Sequence, residues 1–353
     1  MTETIQRIVL ASRPVGEPSL DNFRSEKLPI PHLGSDAMVL RTLWLSLDPY
    51  MRGRMSDAPS YAKPVGIGDV MEGGTVSEVV ASNLPRFAKG DIVVGRTGWQ
   101  THALSDGSGL QKVDPTRAPI QTALGVLGMP GMTAYMGLLE IGKPAAGETV
   151  VVAAASGAVG SVVGQIARIK GAYVVGIAGG PEKCRYAIEE LGFDACIDHR
   201  TSDFAGRLAA ACPEGIDIYS DNVGGDILHA VLPCLYINAR VPISGQISQY
   251  NRGESQGLRN TSVLLDKCVM LQGFRIGSRL ARRDQALDQL LDWYRAGRRK
   301  FHETVAHGLE GARGAHQHAV GRQYRQAGGA PGRSHRMSQL RRGRFGRRAT
   351  CKW

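Results

Sequence analysis

The chain has 353 residues, of which 42% are hydrophobic and 21% are charged, a composition typical of a globular protein of about two domains. The net charge of +11 lies wholly in residues 311–353, which contain eleven Lys or Arg and no Asp or Glu, so residues 1–310 are neutral. A neutral body excludes a broad basic surface for nucleic acid and leaves the tail as its only candidate binding segment.

No apolar run reaches the roughly 18 residues that a membrane span requires, and the first residues show no signal peptide. The six cysteines are scattered without a CxxC pair, which does not favour a disulfide framework or a zinc knuckle. We therefore expect a cytoplasmic protein that acts away from membranes.

Short β-type runs, separated by Gly and Pro, occupy the first 125 residues. Their alternation of apolar and polar residues predicts a β-barrel-like domain. The clearest runs are Ala37–Leu45, Thr75–Val80, Asp91–Val94 and Trp99–Leu104.

From about Gly131 onward, strand patterns and helix patterns alternate along the chain. This alternation predicts an α/β fold with a doubly wound parallel sheet that helices cover on both faces. The predicted strands are 149–155, 172–178, 195–198, 216–221 and 240–244, and the predicted helices are 158–170, 182–191, 204–211 and 226–235.

The first strand of this second half runs into a glycine-rich turn, Ser156–Gly160, at which a helix begins. Gly157 would let the main chain approach a pyrophosphate, and Gly160 would let the helix pack closely on the strand. Ala155 stands where the usual GxGxxG fingerprint has its first Gly. Because the turn lies within a βαβαβ pattern, it predicts a dinucleotide site.

The end of the second strand indicates which dinucleotide binds. NAD enzymes usually present an acidic side chain there to the adenosine ribose, but Gly176–Gly180 contains none. The cations Lys183, Arg185, His199 and Arg200 follow instead. Lys183 and Arg185 could also form the solvated face of a helix, but the missing acid together with these cations favours NADP(H).

Ligands for a catalytic zinc are missing from the first half of the chain. Residues 1–150 contain no Cys and only two histidines, His32 and His102. Zinc dehydrogenases need several Cys and His ligands around the metal. We therefore expect no metal.

Six motifs together resemble one known family. They are Leu45–Met55, Gly131–Leu138, Ala154–Gly160, Asp221–Gly225, Gly245–Asn251 and Leu271–Phe274. Over about residues 5–312 the chain is similar to the zinc-independent medium-chain dehydrogenase/reductases of the alkenal/one group, which includes prostaglandin reductases, plant double-bond reductases and bacterial curcumin reductases. The resemblance implies a GroES-like β-barrel catalytic domain (1–128), a Rossmann NADP-binding domain (129–300) and a return to the first domain (301–312).

The same resemblance implies an activity. Family members use NADPH to reduce the C=C bond of α,β-unsaturated ketones or aldehydes, typically as homodimers. Hydride transfer to the β-carbon leaves charge on the carbonyl oxygen, which requires hydrogen-bond donors, and the α-carbon proton can come from water or a Tyr. Two alternatives stay open: a quinone-reducing relative of the same fold, and a non-catalytic protein whose arginine-rich tail binds nucleic acid.

The resemblance also assigns site residues. Gly157, Ala158, Val159 and Gly160 are expected on the pyrophosphate, Lys183 and His199 at the 2′-phosphate, and Asn222, Ser244, Gly245, Gln246, Ile247, Ser248, Tyr250 and Phe274 elsewhere along the cofactor, with residues 244–250 on its nicotinamide side. Tyr50 is expected to face the substrate, or else to be an aromatic residue of the barrel surface. Asp266 stands where some members have a Tyr that steadies the carbonyl, which leaves the proton donor open.

Residues 313–353 do not resemble the family's ending, which is a helix followed by a Gly-Lys strand rich in Val and Leu. Moving one nucleotide in a back-translation of residues 312–330 permits Pro-Glu-Ala-Leu-Ile-Asn-Met-Leu-Ser-Gly-Gly-Asn-Ile-Gly-Lys-Leu-Val-Val-Arg. We interpret this basic tail as frameshifted. We expect residues beyond about Gly311 to be irregular, which would leave the first domain one strand short.

Overall fold

The computed structural model describes residues 4–30, 32–254, 256–277, 282–298, 300–315 and 322–325. Their first half is mostly β-structure, and the chain returns to it near its end. Its elements are β1 (Thr4–Leu10), β2 (Phe23–Pro29), β3 (Met38–Leu47), α1 (Met51–Arg54), β4 (Thr75–Ser82), β5 (Ile92–Gly95), β6 (His102–Ser105), β7 (Gln111–Lys112), β14 (Thr304–His307), α9 (Gly308–Ala315) and β15 (Arg322–Arg325).

The strands of this half form a barrel-like pair of sheets. β1 and β2 form an antiparallel pair, and a second, seven-stranded sheet has the order β14-β15-β3-β4-β5-β7, with β6 also paired to β3. Trp99 is fully buried between the sheets and stacks on Phe23 at 5.6 Å between ring centroids. The prediction of a β-barrel-like first domain is confirmed, and its sheets are mainly antiparallel.

The second half is a layered α/β domain built on a parallel sheet. Its strands are β8 (Thr149–Ala153), β9 (Tyr173–Ala178), β10 (Ala195–Asp198), β11 (Ile216–Ser220), β12 (Leu235–Ile243) and β13 (Met270–Gly273). Its helices are α2 (Met129–Met136), α3 (Gly160–Ile169), α4 (Pro181–Glu189), α5 (Phe204–Ala211), α6 (Gly225–Val231), α7 (Ser262–Asp266) and α8 (Arg283–Arg295). The strand order β10-β9-β8-β11-β12-β13 is that of the doubly wound dinucleotide-binding fold, so the α/β prediction is confirmed.

Two apolar cores hold this sheet, one on each face. Along β8, Val150 and Val152 face one core and Val151 and Ala153 face the other, because successive side chains of a strand point to opposite faces. Helices α2, α3 and α8 cover the first face, and α5 and α6 cover the second. Burial on both faces explains why the strands are continuous apolar runs.

One predicted boundary differs from the structure. The helix expected over 226–235 ends at Val231, and β12 begins at Leu235 rather than at Arg240. Pro233 lies in the 3₁₀ turn Leu232–Cys234 between them. Because proline has no N–H to donate, the helix cannot continue through it.

No helix in the described ranges combines the length and the apolar character that crossing a membrane requires.

The expectation of an irregular chain beyond Gly311 is wrong for residues 312–315, which end α9, and for β15 (Arg322–Arg325). β15 pairs antiparallel with β3 and parallel with β14, so the sheet is not left one strand short there. Strand pairing uses main-chain N–H and C=O groups, which every non-proline residue carries, so a segment without an apolar pattern can still add a strand. Residues 316–321 and 326–353 of the predicted tail lie outside the described residues.

We expect that restoring the shifted frame from residue 312 raises the melting temperature by roughly 5 °C or more. The permitted sequence has Ile, Leu and two Val where the present chain has Tyr324, Ala327, Gly328 and Gly329, so the last strand would bury larger apolar side chains. Thermal unfolding of both chains, followed by circular dichroism, is the measurement. Equal melting temperatures would contradict the frameshift interpretation, which resequencing of the gene checks independently.

Candidate active site

The strand order creates a crevice at the carboxyl ends of β8 and β11. In a doubly wound sheet, the connections from two such neighbouring strands leave toward opposite faces, and ligands bind in the gap between them. The turn after β8 and the turn after β11 both lie at this edge, and β9 and β12 end beside them. Most of the predicted cofactor residues follow one of these four strands.

The turn after β8 brings the N-terminus of α3 close to the strand. A Cβ added to Gly160 would lie 2.3 Å from the carbonyl oxygen of Ala154, so only glycine permits this approach. The N–H of Gly157 donates to that same oxygen (2.8 Å) and is therefore used within the turn. The N–H groups at the start of a helix have no helical acceptor and favour an anion, so Ala158, Val159 and Gly160 fit the expected pyrophosphate site.

Cationic side chains converge at the end of β9. A Cβ added to Gly179 would lie 3.0 Å from Nε2 of His199 and 3.1 Å from Nε of Arg200, so both side chains extend over this glycine. Burial, then Arg200 and then Lys183 lower the pKa of His199, although the Asp198 carboxylate opposes them. The cluster would therefore stabilise a bound phosphate.

Arg200 belongs to this cluster; the sequence analysis named it among the nearby cations but assigned only Lys183 and His199 to the 2′-phosphate. The carboxylate of Asp198 accepts the N–H groups of Gly180 (2.9 Å) and Arg200 (3.0 Å), which folds the residues after β10 back onto the start of α4. These hydrogen bonds determine which basic side chains lie close together, and no sequence pattern predicts them. Arg185 is exposed on α4.

The turn after β11 is organised by a buried carboxylate. Asp221 is fully buried, and its Oδ1 accepts the Tyr219 hydroxyl (3.1 Å) and the N–H groups of Val223 (2.8 Å) and Gly224 (2.9 Å). Burial raises the pKa of Asp221, although these hydrogen bonds oppose the shift. The carboxylate thus holds the turn that carries Asn222.

Asn222 supports a ligand at this place. Its Oδ1 accepts the Ser244 hydroxyl, but its Nδ2 is buried and donates to no acceptor among the described residues. A buried amide without an acceptor is costly, and an acceptor atom of a bound cofactor would satisfy it. The predicted role of Asn222 therefore fits the structure.

The predicted nicotinamide-side residues form one loop packed on the Asn222 turn. The N–H of Ile247 donates to the main-chain oxygen of Asn222 (3.2 Å), and the Ser248 hydroxyl donates to the main chain of the same turn (2.6 Å). The Tyr250 hydroxyl accepts the N–H of Gln246 (3.2 Å) and closes the loop on itself. The structure therefore brings residues 244–250 to the end of β11.

Phe274 lies beside this loop through its main chain only. Its N–H donates to the carbonyl of Ile243 (3.1 Å), at the end of β12. Its ring fills the space over Gly137, where an added Cβ would lie 2.6 Å from the ring. The ring of Phe274 belongs to the core. Any contact of this residue with the cofactor would therefore be made by its main chain.

A cavity of about 840 Å³ lies between the two halves of the protein. Its wall includes Asp48, Tyr50 and Arg96 from the first half and Met132 and Leu291 from the second. This volume suits a small organic molecule, with apolar walls and a few polar groups. Tyr50 is therefore a cavity residue rather than only a barrel-surface aromatic.

Tyr50 and the loop 244–250 do not line the same cavity, because no residue of that loop lies in the cavity wall. The two are linked by neighbouring contacts. Nε of Arg52 donates to Oδ1 of Asn251 (3.1 Å), which ties α1 to the residue after the loop. Burial raises the pKa of Tyr250, and the nearby Tyr61 adds to that shift. The sequence analysis missed Tyr61, since no motif marks it.

Two titratable groups, Asp48 and Tyr50, lie near each other in the cavity wall. Burial raises the pKa of Asp48 to about 6, against the opposing effects of its Ser46 hydrogen bond and Arg96. Burial, Asp48 and Glu72 raise the pKa of Tyr50. The Tyr50 phenol thus stays protonated at neutral pH and is able to donate a hydrogen bond.

No group of three or more His, Cys, Asp or Glu side chains suited to a metal occurs in the part of the chain that the structure describes.

Comparison with known proteins places the chain in a family. The model of an N-terminal domain of oxidoreductase matches residues 6–113, and that of a zinc-binding dehydrogenase matches residues 158–294. The NADPH-dependent curcumin reductase of Escherichia coli K12 is 50% identical over 313 residues, which cover 87% of this chain and 91% of that protein. The 2-alkenal reductase (NADP(+)-dependent) of Nicotiana tabacum is 40% identical over 81% of this chain and 84% of that protein.

A solved structure agrees with the fold. CurA from Vibrio vulnificus in complex with NADPH is 48% identical, with a TM-score of 0.87, over 92% of this chain and all of that chain. The fold and the site define an oxidoreductase with a dinucleotide-binding domain. The chain belongs to the zinc-independent medium-chain dehydrogenase/reductase family, which confirms the resemblance inferred from the sequence motifs.

Proposed function

We propose that this protein uses NADPH to reduce the C=C bond of α,β-unsaturated ketones or aldehydes. The observation that carries the proposal is the convergence of Lys183, His199 and Arg200 at the end of β9, beside a sheet edge built for a dinucleotide. A 2′-phosphate is the group that distinguishes NADPH from NADH; the cations Lys183 and Arg200 would bind it, and the His199 ring would donate a hydrogen bond to it. The similarity to an NADPH-dependent curcumin reductase and a 2-alkenal reductase supports the substrate class.

The bound cofactor would supply a hydride to the β-carbon of the substrate. The start of α3 would bind the pyrophosphate, and Nδ2 of Asn222 would donate to the cofactor instead of staying unpaired. The loop 244–250 would hold the nicotinamide end against the sheet edge. These residues orient the cofactor and exclude water from it.

The substrate would lie between Tyr50 and the nicotinamide end of the cofactor, with its carbonyl oxygen toward Tyr50. The protonated phenol would donate a hydrogen bond to that oxygen, where negative charge develops as the β-carbon accepts the hydride. The burial of Tyr50, which strengthens this hydrogen bond by excluding water, supports the assignment. The α-carbon would then take a proton from water or from a Tyr.

We further propose that the protein is a cytoplasmic homodimer. β13 is the edge strand of the parallel sheet, and large apolar side chains on or beside the last two strands are exposed. Ile237 is 58% exposed, Leu265 is 81% exposed and Met270 is 41% exposed. An edge strand with such neighbours invites pairing, and a second copy related by a two-fold axis would cover both edges.

The activity itself is tested with NADPH and a panel of an acyclic enone, an enal and a benzoquinone. We expect NADPH oxidation with the enone and the enal, formation of the saturated carbonyl product by mass spectrometry, and no loss of activity in EDTA. Turnover of the quinone alone would favour the quinone-reducing alternative. Activity lost in EDTA and restored by zinc would contradict the metal-free mechanism.

The cofactor site is tested by the substitution Lys183→Ala. We expect the KM for NADPH to rise about tenfold and the KM for NADH to change little, because a charge-assisted bond to the 2′-phosphate is lost. Arg185→Ala, on the exposed face of the same helix, is the matched control and should leave both constants unchanged. An equal rise for both cofactors after Lys183→Ala would refute the assignment.

The dimer is tested by sedimentation at micromolar concentration. We expect the wild type to have twice the mass of one chain and Leu265→Asp to shift it toward the monomer, because a buried unpaired carboxylate is costly. Ile67→Asp places the same charge at an exposed apolar position of the first half and should not change the mass. A monomeric wild type would exclude this interface.

A further inference from the structure

Tyr50 belongs to a row of side chains in which guanidinium groups and aromatic rings alternate, here called the cation–aromatic ladder. The guanidinium carbons of Arg96 and Arg54 lie 5.7 and 5.9 Å from the centroid of the Tyr50 ring. Arg54 also lies 4.4 Å from the ring centroid of Tyr61, and Arg275 lies 4.8 Å from that ring. The ladder thus runs from the cavity wall of the first half to a residue of the second half.

One carboxylate joins the two arginines next to Tyr50. Oε1 of Glu72 lies 3.2 Å from Nη1 of Arg96, and its Oε2 lies 3.4 Å from Nε of Arg54. The Arg54 side chain is only 3% exposed, and in the described part of the chain Glu72 supplies the carboxylate within ion-pair distance of it. Because a buried charge without a carboxylate is strongly unfavourable, Glu72 stabilises Arg54, whose Nη1 also donates to the carbonyl of Ala62 (3.3 Å).

The main chain around Glu72 is held on both sides. Met71 is fully buried, and its N–H donates to the carbonyl of Ile8 (3.0 Å). A Cβ added to Gly73 would lie 2.7 Å from the Leu45 side chain and 3.0 Å from Trp99. Glu72 therefore extends from a rigid part of the barrel core and is able to fix the arginines that it binds.

The position of Arg96 depends on Glu72 more strongly than the position of Arg54 does. Its side chain is 63% exposed, and Glu72 accepts its one hydrogen bond within the described residues. A long exposed side chain without a partner populates many rotamers, so the contact of Arg96 with the Tyr50 ring depends on this ion pair. Without the ion pair to Glu72, the Arg96 side chain would not stay in one position against the Tyr50 ring.

We propose that Glu72 is a positioning residue of the reaction, because it holds Arg54 and Arg96 against Tyr50 and so keeps the phenol hydroxyl at the substrate carbonyl. The inference rests on the proposed function of Tyr50 as the hydrogen-bond donor. Misplacing a hydrogen-bond donor by a fraction of an ångström weakens its bond to a developing charge. Loss of Glu72 should therefore lower kcat and leave NADPH binding unchanged. Glu72 itself does not line the cavity.

The test is a double-mutant cycle between Glu72→Gln and Tyr50→Phe, measured as kcat and KM for an enone at saturating NADPH. We expect Glu72→Gln alone to lower kcat about tenfold and to leave the KM for NADPH unchanged. In the Tyr50→Phe background, where no hydroxyl remains to be positioned, the same substitution should lower kcat no further. Equal losses in both backgrounds would overturn the proposal, as would an unchanged kcat in Tyr50→Phe.

Glu78→Gln is the matched control. Glu78 forms an ion pair with Arg41 between β3 and β4, and neither residue lines the cavity. The control should leave kcat unchanged and lower the melting temperature less than Glu72→Gln does, because the Arg41 side chain is 37% exposed and that of Arg54 only 3%. If both substitutions lower kcat alike, Glu72 is only structural. A wild type that does not turn over the enone is a different result, because it refutes the proposed function itself.

A second pair of variants does not depend on the folding of Glu72→Gln. Arg96 is mostly exposed, so Arg96→Met and Arg96→Lys should both fold. We expect Arg96→Met to lower kcat about fivefold and Arg96→Lys to recover most of it, because Lys retains the charge that pairs with Glu72. Equal activities of the two variants would overturn the proposal.

Discussion

The close approach of α3 to the end of β8 is the contact on which the cofactor half depends. At Gly160 the helix begins so near the carbonyl of Ala154 that any side chain would collide with the main chain. This contact sets where the helix N-terminus points, and with it the place at which an anion is stabilised. The turns after β9, β11 and β12 surround that place because their strands are registered against β8 in one parallel sheet.

A second constraint is the satisfaction of buried polar groups at this edge. Asp221 is buried at a cost, and the hydroxyl and two N–H groups that it accepts offset that cost by ordering the turn after β11. The loop 244–250 then packs on the ordered turn. Nδ2 of Asn222 is the donor that this network leaves unpaired, which makes the site complete only with a ligand.

The charged side chains near the cavity are paired differently from those near the sheet edge. At the end of β9, basic side chains gather beside the Asp198 carboxylate, and their excess of positive charge favours a phosphate. Around Tyr50, the carboxylate of Glu72 pairs with both arginines, so they are held against an aromatic ring.

The sequence by itself determined the α/β class, the strand–helix alternation of the second half and the dinucleotide turn, because these depend on apolar periodicity and on glycines at short spacing. It also marked Lys183, His199 and Asn222, which lie near predicted strand ends. It named Arg200 among the nearby cations without assigning it to the site, and it could not select Tyr61 or Glu72, whose roles come from contacts between segments far apart in the chain. It also misjudged residues 312–315 and 322–325, since pairing with β3 needs only main-chain groups and leaves no pattern in the side chains.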